Sequence, residues 1–258
     1  RMPGASPINR MAKRIGGTWN PFGTGLNGIV DALAADGAGP LYAGGRFTLA
    51  GGVPASNVAK WEGGTWSPLG AGIGNWVYSL ACVSGRVYAA GAFTNAGAVS
   101  AMNIARWDGA NWEALGSGLS GQARAVAADP GGNVYAGGLF ATAGGTAANN
   151  VAQWDGVSWS ALGGGVNGMV RALTADESGS LYAGGDFTAA EGNTNASHIA
   201  CWNGTNWVGL GLGLNGTVYA LVPDGSGGLY AGGAFSAALG GVQASGVAFW
   251  NGSAWTNL

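Results

Sequence analysis

The chain has 258 residues, of which 53 are glycine, 47% are hydrophobic and only 9% carry charge. A hydrophobic fraction of this size supplies a core and excludes ordinary disorder, so the glycines need a structural cause. Four of the ten basic residues (Arg1, Arg10, Lys13, Arg14) lie in the first fourteen positions, leaving six basic against twelve acidic residues, a net of −6, in a mildly acidic body for which nucleic acid is not the expected partner.

In chain order, residues 1–15 read as a basic N-terminal linker, with Pro3 and Pro7 and without the apolar core of a signal peptide. Residues 16–258 read as one domain built on a repeat. The segment LYAGG or a near copy recurs at Tyr42, Tyr88, Tyr135, Tyr182 and Tyr230, at spacings of 46, 47, 47 and 48 residues. A second series, Trp61, Trp107, Trp154, Trp202 and Trp250, is followed each time five residues later by Trp66, Trp112, Trp159, Trp207 and Trp255.

Each unit divides into four short strands. The first is V-x-A-L, as at Val30–Leu33, Val170–Leu173 and Val218–Leu221. A D-x-x-G turn (Asp36, Asp129, Asp176, Asp224; shortened around Ser84 and Gly85 in the second unit) leads into the LYAGG strand, whose glycines let neighbouring sheets approach. The third strand, V-A-x-W, meets the fourth through Asp-Gly, Glu-Gly or Asn-Gly, pairs that accept the positive φ of hairpin turns. Four antiparallel strands every 46 to 48 residues without helical periodicity predict an all-β, five-bladed β-propeller of four-stranded antiparallel blades.

The pattern of the fourth strand occurs six times, because Thr18–Phe22 matches the segment at Trp66. The surplus copy predicts an N-terminal strand that closes the ring by pairing with the last blade, with the segment from Trp255 onward displaced or added to the outer edge. The same surplus allows oligomerisation through an open strand edge.

The run NVAQWDGVSWSALGGGVNGMVRAL, followed by LYAGGDFT, resembles the repeats of secreted bacterial proteins and of fungal cortical polarity-marker proteins, often described as kelch-like, over residues 16–258. That resemblance implies a propeller and leaves the activity open. In repeat number and length the chain is also similar to tachylectin-type five-bladed lectins, although the motifs differ. This makes a lectin the second expectation.

No run approaches the roughly 18 apolar residues of a spanning helix, so no membrane span is expected in this chain. Cys82 and Cys201 occupy non-equivalent repeat positions, which argues against a repeated disulfide framework or a metal cluster, and no cofactor is expected. Of four glycosylation-type sequons (Asn195, Asn203, Asn215, Asn251), those at Asn203 and Asn251 arise because Asn-Gly replaces Asp-Gly in the repeated turn. The single histidine, His198, stands where other units carry Asn57, Asn103 and Asn150, so it reads as a turn residue, and a Ser-His-Asp or Cys-His arrangement has little material.

Comparing units separates what the architecture requires from what it leaves free. One position of the first strand varies yet stays polar or aromatic: Asp31, Tyr78, Arg124, Arg171 and Tyr219. Arginine and tyrosine are favoured recognition groups, so this series, at the expected channel mouth, is the candidate ligand-binding site; an internal network lining a wet channel is the plainer alternative. Trp76 joins it, read as replacing the Gly of Asn-Gly, and so does Asp186, which aligns with Arg46, Ala92, Leu139 and Ala234. Paired carboxylates on the first strands are absent, which weakens a glycoside-active enzyme built on Asp31 and Asp186. The expectation is a non-enzymatic scaffold, extracellular or at the cell surface, for a protein partner, with a surface glycan as the alternative partner.

Overall fold

The computed structural model describes residues 10–35, 37 and 39–258; the turn residue Asp36 and most of the basic leader, Arg1 included, lie outside these. Among the described residues every regular element is a strand. Five four-stranded antiparallel sheets follow one another, each ordered as its strands occur in sequence. The first is Ile29–Ala35, Leu41–Arg46, Val58–Glu62 and Thr65–Pro68; the fourth is Val170–Ala175, Leu181–Gly185, Ile199–Trp202 and Trp207–Gly209. The chain divides into two compact units, 1–114 and 115–258, and the boundary falls between repeats.

In the first unit, sheets one and two pack through the glycines. A Cβ on Gly44 would stand 2.6 Å from Val77 and 3.1 Å from Leu80, so the small residue lets the V-x-x-L face of the next sheet close on it. The second unit repeats the contact twice: Gly137 against Val170 and Leu173, Gly184 against Val218 and Leu221.

The tryptophans bind neighbouring repeats. Trp112 donates its indole N–H to the Leu69 carbonyl at 2.9 Å in the first unit, and Trp159, Trp207 and Trp255 donate to Leu115, Leu162 and Leu210 at 2.8 Å in the second. Each indole buries its rings and still satisfies its one donor, with the paired tryptophan tilted against it at 5.3 to 5.6 Å.

The N-terminus departs from expectation in two ways. Thr18–Pro21 does not join the last sheet; it pairs with Ala12–Ile15, and the fifth sheet keeps Trp255–Asn257 as its own fourth strand. Residues 12–15 are therefore a strand, not linker. The sequence MAKRIGGTWNPFG matches VAKWEGGTWSPLG, and the register is the same: Ala12 opposite Pro21 and Ile15 opposite Thr18, as Ala59 opposite Pro68 and Glu62 opposite Thr65. The hairpin is the outer half of a repeat. It supplies the Phe22 carbonyl that Trp66 bonds at 2.9 Å, while Trp19 stays exposed.

Candidate recognition site

All five variable first-strand residues share one geometry. In sheet one, Val30 faces Gly45 and Ala32 faces Gly44, so Asp31 has no residue opposite it; the register skips Tyr78, Arg124, Arg171 and Tyr219 in the same way. Each is the extra residue of a β-bulge, a device that bends a strand and re-aims one side chain. The bulge also explains the second glycine of LYAGG. A Cβ on Gly185 would sit 2.0 Å from the Met169 carbonyl oxygen, and Gly45, Gly91, Gly138 and Gly233 meet the same obstacle.

Two of the bulges build matching clusters. In the first unit Asp31 accepts two hydrogen bonds from Arg46, from Nε at 3.0 Å and Nη2 at 3.1 Å, and the guanidinium lies over the Trp76 ring at 4.9 Å and the Tyr78 ring at 5.8 Å. In the second unit Arg171 and Asp186 form the same fork at 2.8 and 2.7 Å, Thr217 donates to Asp186 at 2.9 Å, and Arg171 lies over the Tyr219 ring at 5.5 Å. The four positions correspond one to one. Acid and base have exchanged strands, and Thr217 stands where Trp76 does.

Trp76 thus takes a different place from the one expected. Its carbonyl accepts from Ala92 N as Gln122 accepts from Leu139 and Met169 from Asp186, so it aligns with Ile29, Gln122, Met169 and Thr217. The Asn-Gly pair is inverted in this repeat to Gly74-Asn75. Arg124 is held differently, bonding Gln122 at 2.7 Å beside an exposed Leu139 in place of an acid. Asp31 and Asp186 each have an arginine partner of their own. Arg171's hydrogen bonds outweigh partial burial and hold the Asp186 carboxyl below the usual range, opposite to the raised general acid of a glycosidase.

Both clusters keep exposed aromatic surface: Trp76 is 45% and Tyr219 54% accessible. The arginines are fixed on one edge by a carboxylate, which lowers the entropy cost of using the remaining N–H groups on a ligand. Arg46 is the residue that sequence reasoning left out. Its alignment with Asp186, opposite in charge just as Asp31 is to Arg171, was the available signal.

His198 adopts the left-handed conformation, φ 62°, shared by Asn57, Asn103 and Asn150, which is the turn role expected of it. Its Nδ1 lies 3.0 Å from the Gly185 carbonyl and must carry the proton there, since a carbonyl only accepts. Asn203 and Asn251 accept backbone N–H groups two and three residues on, as Asp108 and Asp155 do, so these sequon asparagines serve the turn. Among the described residues no group of three His, Cys, Asp or Glu is placed to hold a metal, and no helix is long and apolar enough to cross a membrane.

No protein-family profile and no curated protein matches the chain. Solved structures do. YCF48 bound to D1 peptide is 17% identical with a TM-score of 0.55, covering 93% of this chain and 71% of that one. The fold is a β-propeller. A chain of the nidogen/laminin complex matches at 16% identity and TM-score 0.53 over 79% of this propeller and 72% of its own length. The extracellular domain of the two-component system BT4673 from B. thetaiotaomicron matches at 12% and 0.54, over 86% of this chain and 27% of that one.

Proposed function

We propose that this propeller is a non-enzymatic protein-interaction scaffold, working outside the cell or at its surface, and that its bulge clusters are the contact points. The observation that carries the reading is the repeated four-residue cluster, an arginine locked by an aspartate beside exposed aromatic area. Such groups dominate protein interfaces because they offer large rigid area and directional donors at low ordering cost. Two solved propellers of the same fold are described with a peptide or a protein partner, which supports the same reading. The kelch-like repeat resemblance and an extracellular setting belong to this proposal too.

The test is photo-crosslinking on a native cell surface from p-benzoylphenylalanine at position 219, with position 157, which is 84% exposed in the turn between third and fourth strands, as control. The scaffold reading expects a protein adduct from 219 and none from 157. Equal labelling from both, or none from either, overturns it. One observation favours a lectin as second reading: Trp76 and Tyr78, ring centroids 6.3 Å apart beside Asp31 and Arg46, also make a platform with polar groups of the kind that holds sugars. Release of the 219 adduct's partner by glycosidase treatment would favour it.

A further inference from the structure

Repeat four departs from repeats one to three at a second place, and it keeps their positive φ where repeat five has Leu239 without one. The residue after the bridged alanine of the loop between second and third strands is Gly51, Gly97 and Gly144 in repeats one to three, with φ of 63°, 55° and 59°. In repeat four it is Glu191, still at φ 48° and still donating its N–H to the Gly165 carbonyl, as Gly51 does to Gly25. A side chain here occupies backbone space that glycine fills without strain, and such outliers persist where they are used.

A second departure accompanies it. The run Leu162-Gly163-Gly164-Gly165 has glycine at 164, where other repeats carry Thr24, Ala71, Ser117 and Leu212. A Cβ on Gly164 would lie 3.2 Å from the Glu191 Cγ, and one on Gly163 2.7 Å from its carboxylate. The position that would crowd the glutamate has been emptied. The result is a cleft of about 300 Å³ within the second unit, lined by Asn149, Gly164, Gly165, Asn167, Glu191 and Gly192.

Its chemistry is that of acceptors. Glu191 Oε1 takes only a long bond, 3.2 Å, from Gly164 N, and Asn149 spends its Nδ2 on the Gly164 carbonyl at 3.0 Å, which leaves its Oδ1 to accept. Asn167 has both side-chain atoms committed to Thr188 and Ala189 and serves as frame. A carboxylate among amide and backbone oxygens in an acidic body recognises a cation.

We propose that the Glu191 cleft is a subsite for a lysine or arginine side chain of the protein partner. The proposal rests on the scaffold reading, but its test does not involve the bulge clusters. The probes are Nα-acetyl-lysine amide and Nα-acetyl-arginine amide, titrated into the ¹⁵N-labelled chain with calcium chloride as a separate arm. Saturable shifts of the Gly164 and Gly192 amides are expected with an organic cation, weakened at least tenfold in Glu191→Gln. Glu191→Gly should lose them too while melting at a higher temperature, because glycine fits the backbone there. No shifts, shifts unchanged in Glu191→Gln, or shifts produced by calcium alone would each overturn the proposal. Failure here alongside a specific adduct at position 219 removes this subsite and leaves the scaffold standing.

Discussion

At the residue scale, the two glycines of LYAGG have different duties, and position decides how much each matters. Gly184→Ala would drive a Cβ to 2.5 Å from Val218 and should cost about 1–3 kcal/mol through overpacking. The equivalent Gly137→Ala, whose Cβ would stand 2.4 Å from Val170, should cost as much. Urea unfolding of the two variants measures the cost. The sequence displayed that glycines recur but not that the second sits over a bulge carbonyl, because a skipped register leaves no mark on an alternating pattern.

Asp186 adds a pH dependence whose sign follows from its partner. Hydrogen bonds from Arg171 hold the folded carboxyl below the value of about 3.9 expected unfolded, so the pair stabilises above that pH and its contribution fades as pH falls through the folded value. With both side chains about a third exposed, the whole effect is about 1 kcal/mol or less. The stability difference between the parent chain and Asp186→Asn should therefore shrink as urea titrations move from about pH 6 to about pH 2. Burial acts the other way on Cys201, pushing its thiol up to about 11, so a thiol reagent at pH 8 should modify it only on unfolding.

At the scale of elements, the loops are tied by side chains whose roles the sequence shows only in outline. Asn167 accepts the backbone N–H groups of Thr188 and Ala189 and donates to the Thr188 hydroxyl, pinning the loop before the first strand to the loop after the second. Asn27 and Asn215 do the same in their repeats. Asn167→Ala should cost about 0.5–1.5 kcal/mol in denaturant unfolding, since it removes three hydrogen bonds at an exposed loop where water replaces them only in part. The Asn-Gly pairs are legible as turn chemistry, whereas the bonding partners twenty-one residues away depend on the sheet being closed first. The N-terminal hairpin teaches a related lesson. Its tryptophan matched the repeat, but Arg14 in place of Trp61's counterpart disguised the strand before it, and basic charge read as linker.

At the scale of the molecule, periodicity was the strongest signal, and the all-β propeller followed from it because four strands per period of 46 to 48 residues have few other ways to bury alternate faces. The candidate site was legible as a variable column, Asp31, Tyr78, Arg124, Arg171 and Tyr219, because repeats serve as internal controls for one another. Its pairing was not, since Arg46 and Asp186 lie fifteen residues from their partners and meet only through the strand register. Two jobs are thus separable: glycines, tryptophans and loop asparagines hold the blades, and the proposed contact with a partner falls to the bulge residues.

The most direct test of that separation is photo-crosslinking from position 219, with its melting temperature recorded, in the Arg46→Ala/Arg171→Ala double variant. The account predicts an adduct yield reduced at least tenfold, with the melting temperature lowered by no more than about 4 °C. An unchanged yield, or a collapse of the fold, would contradict it.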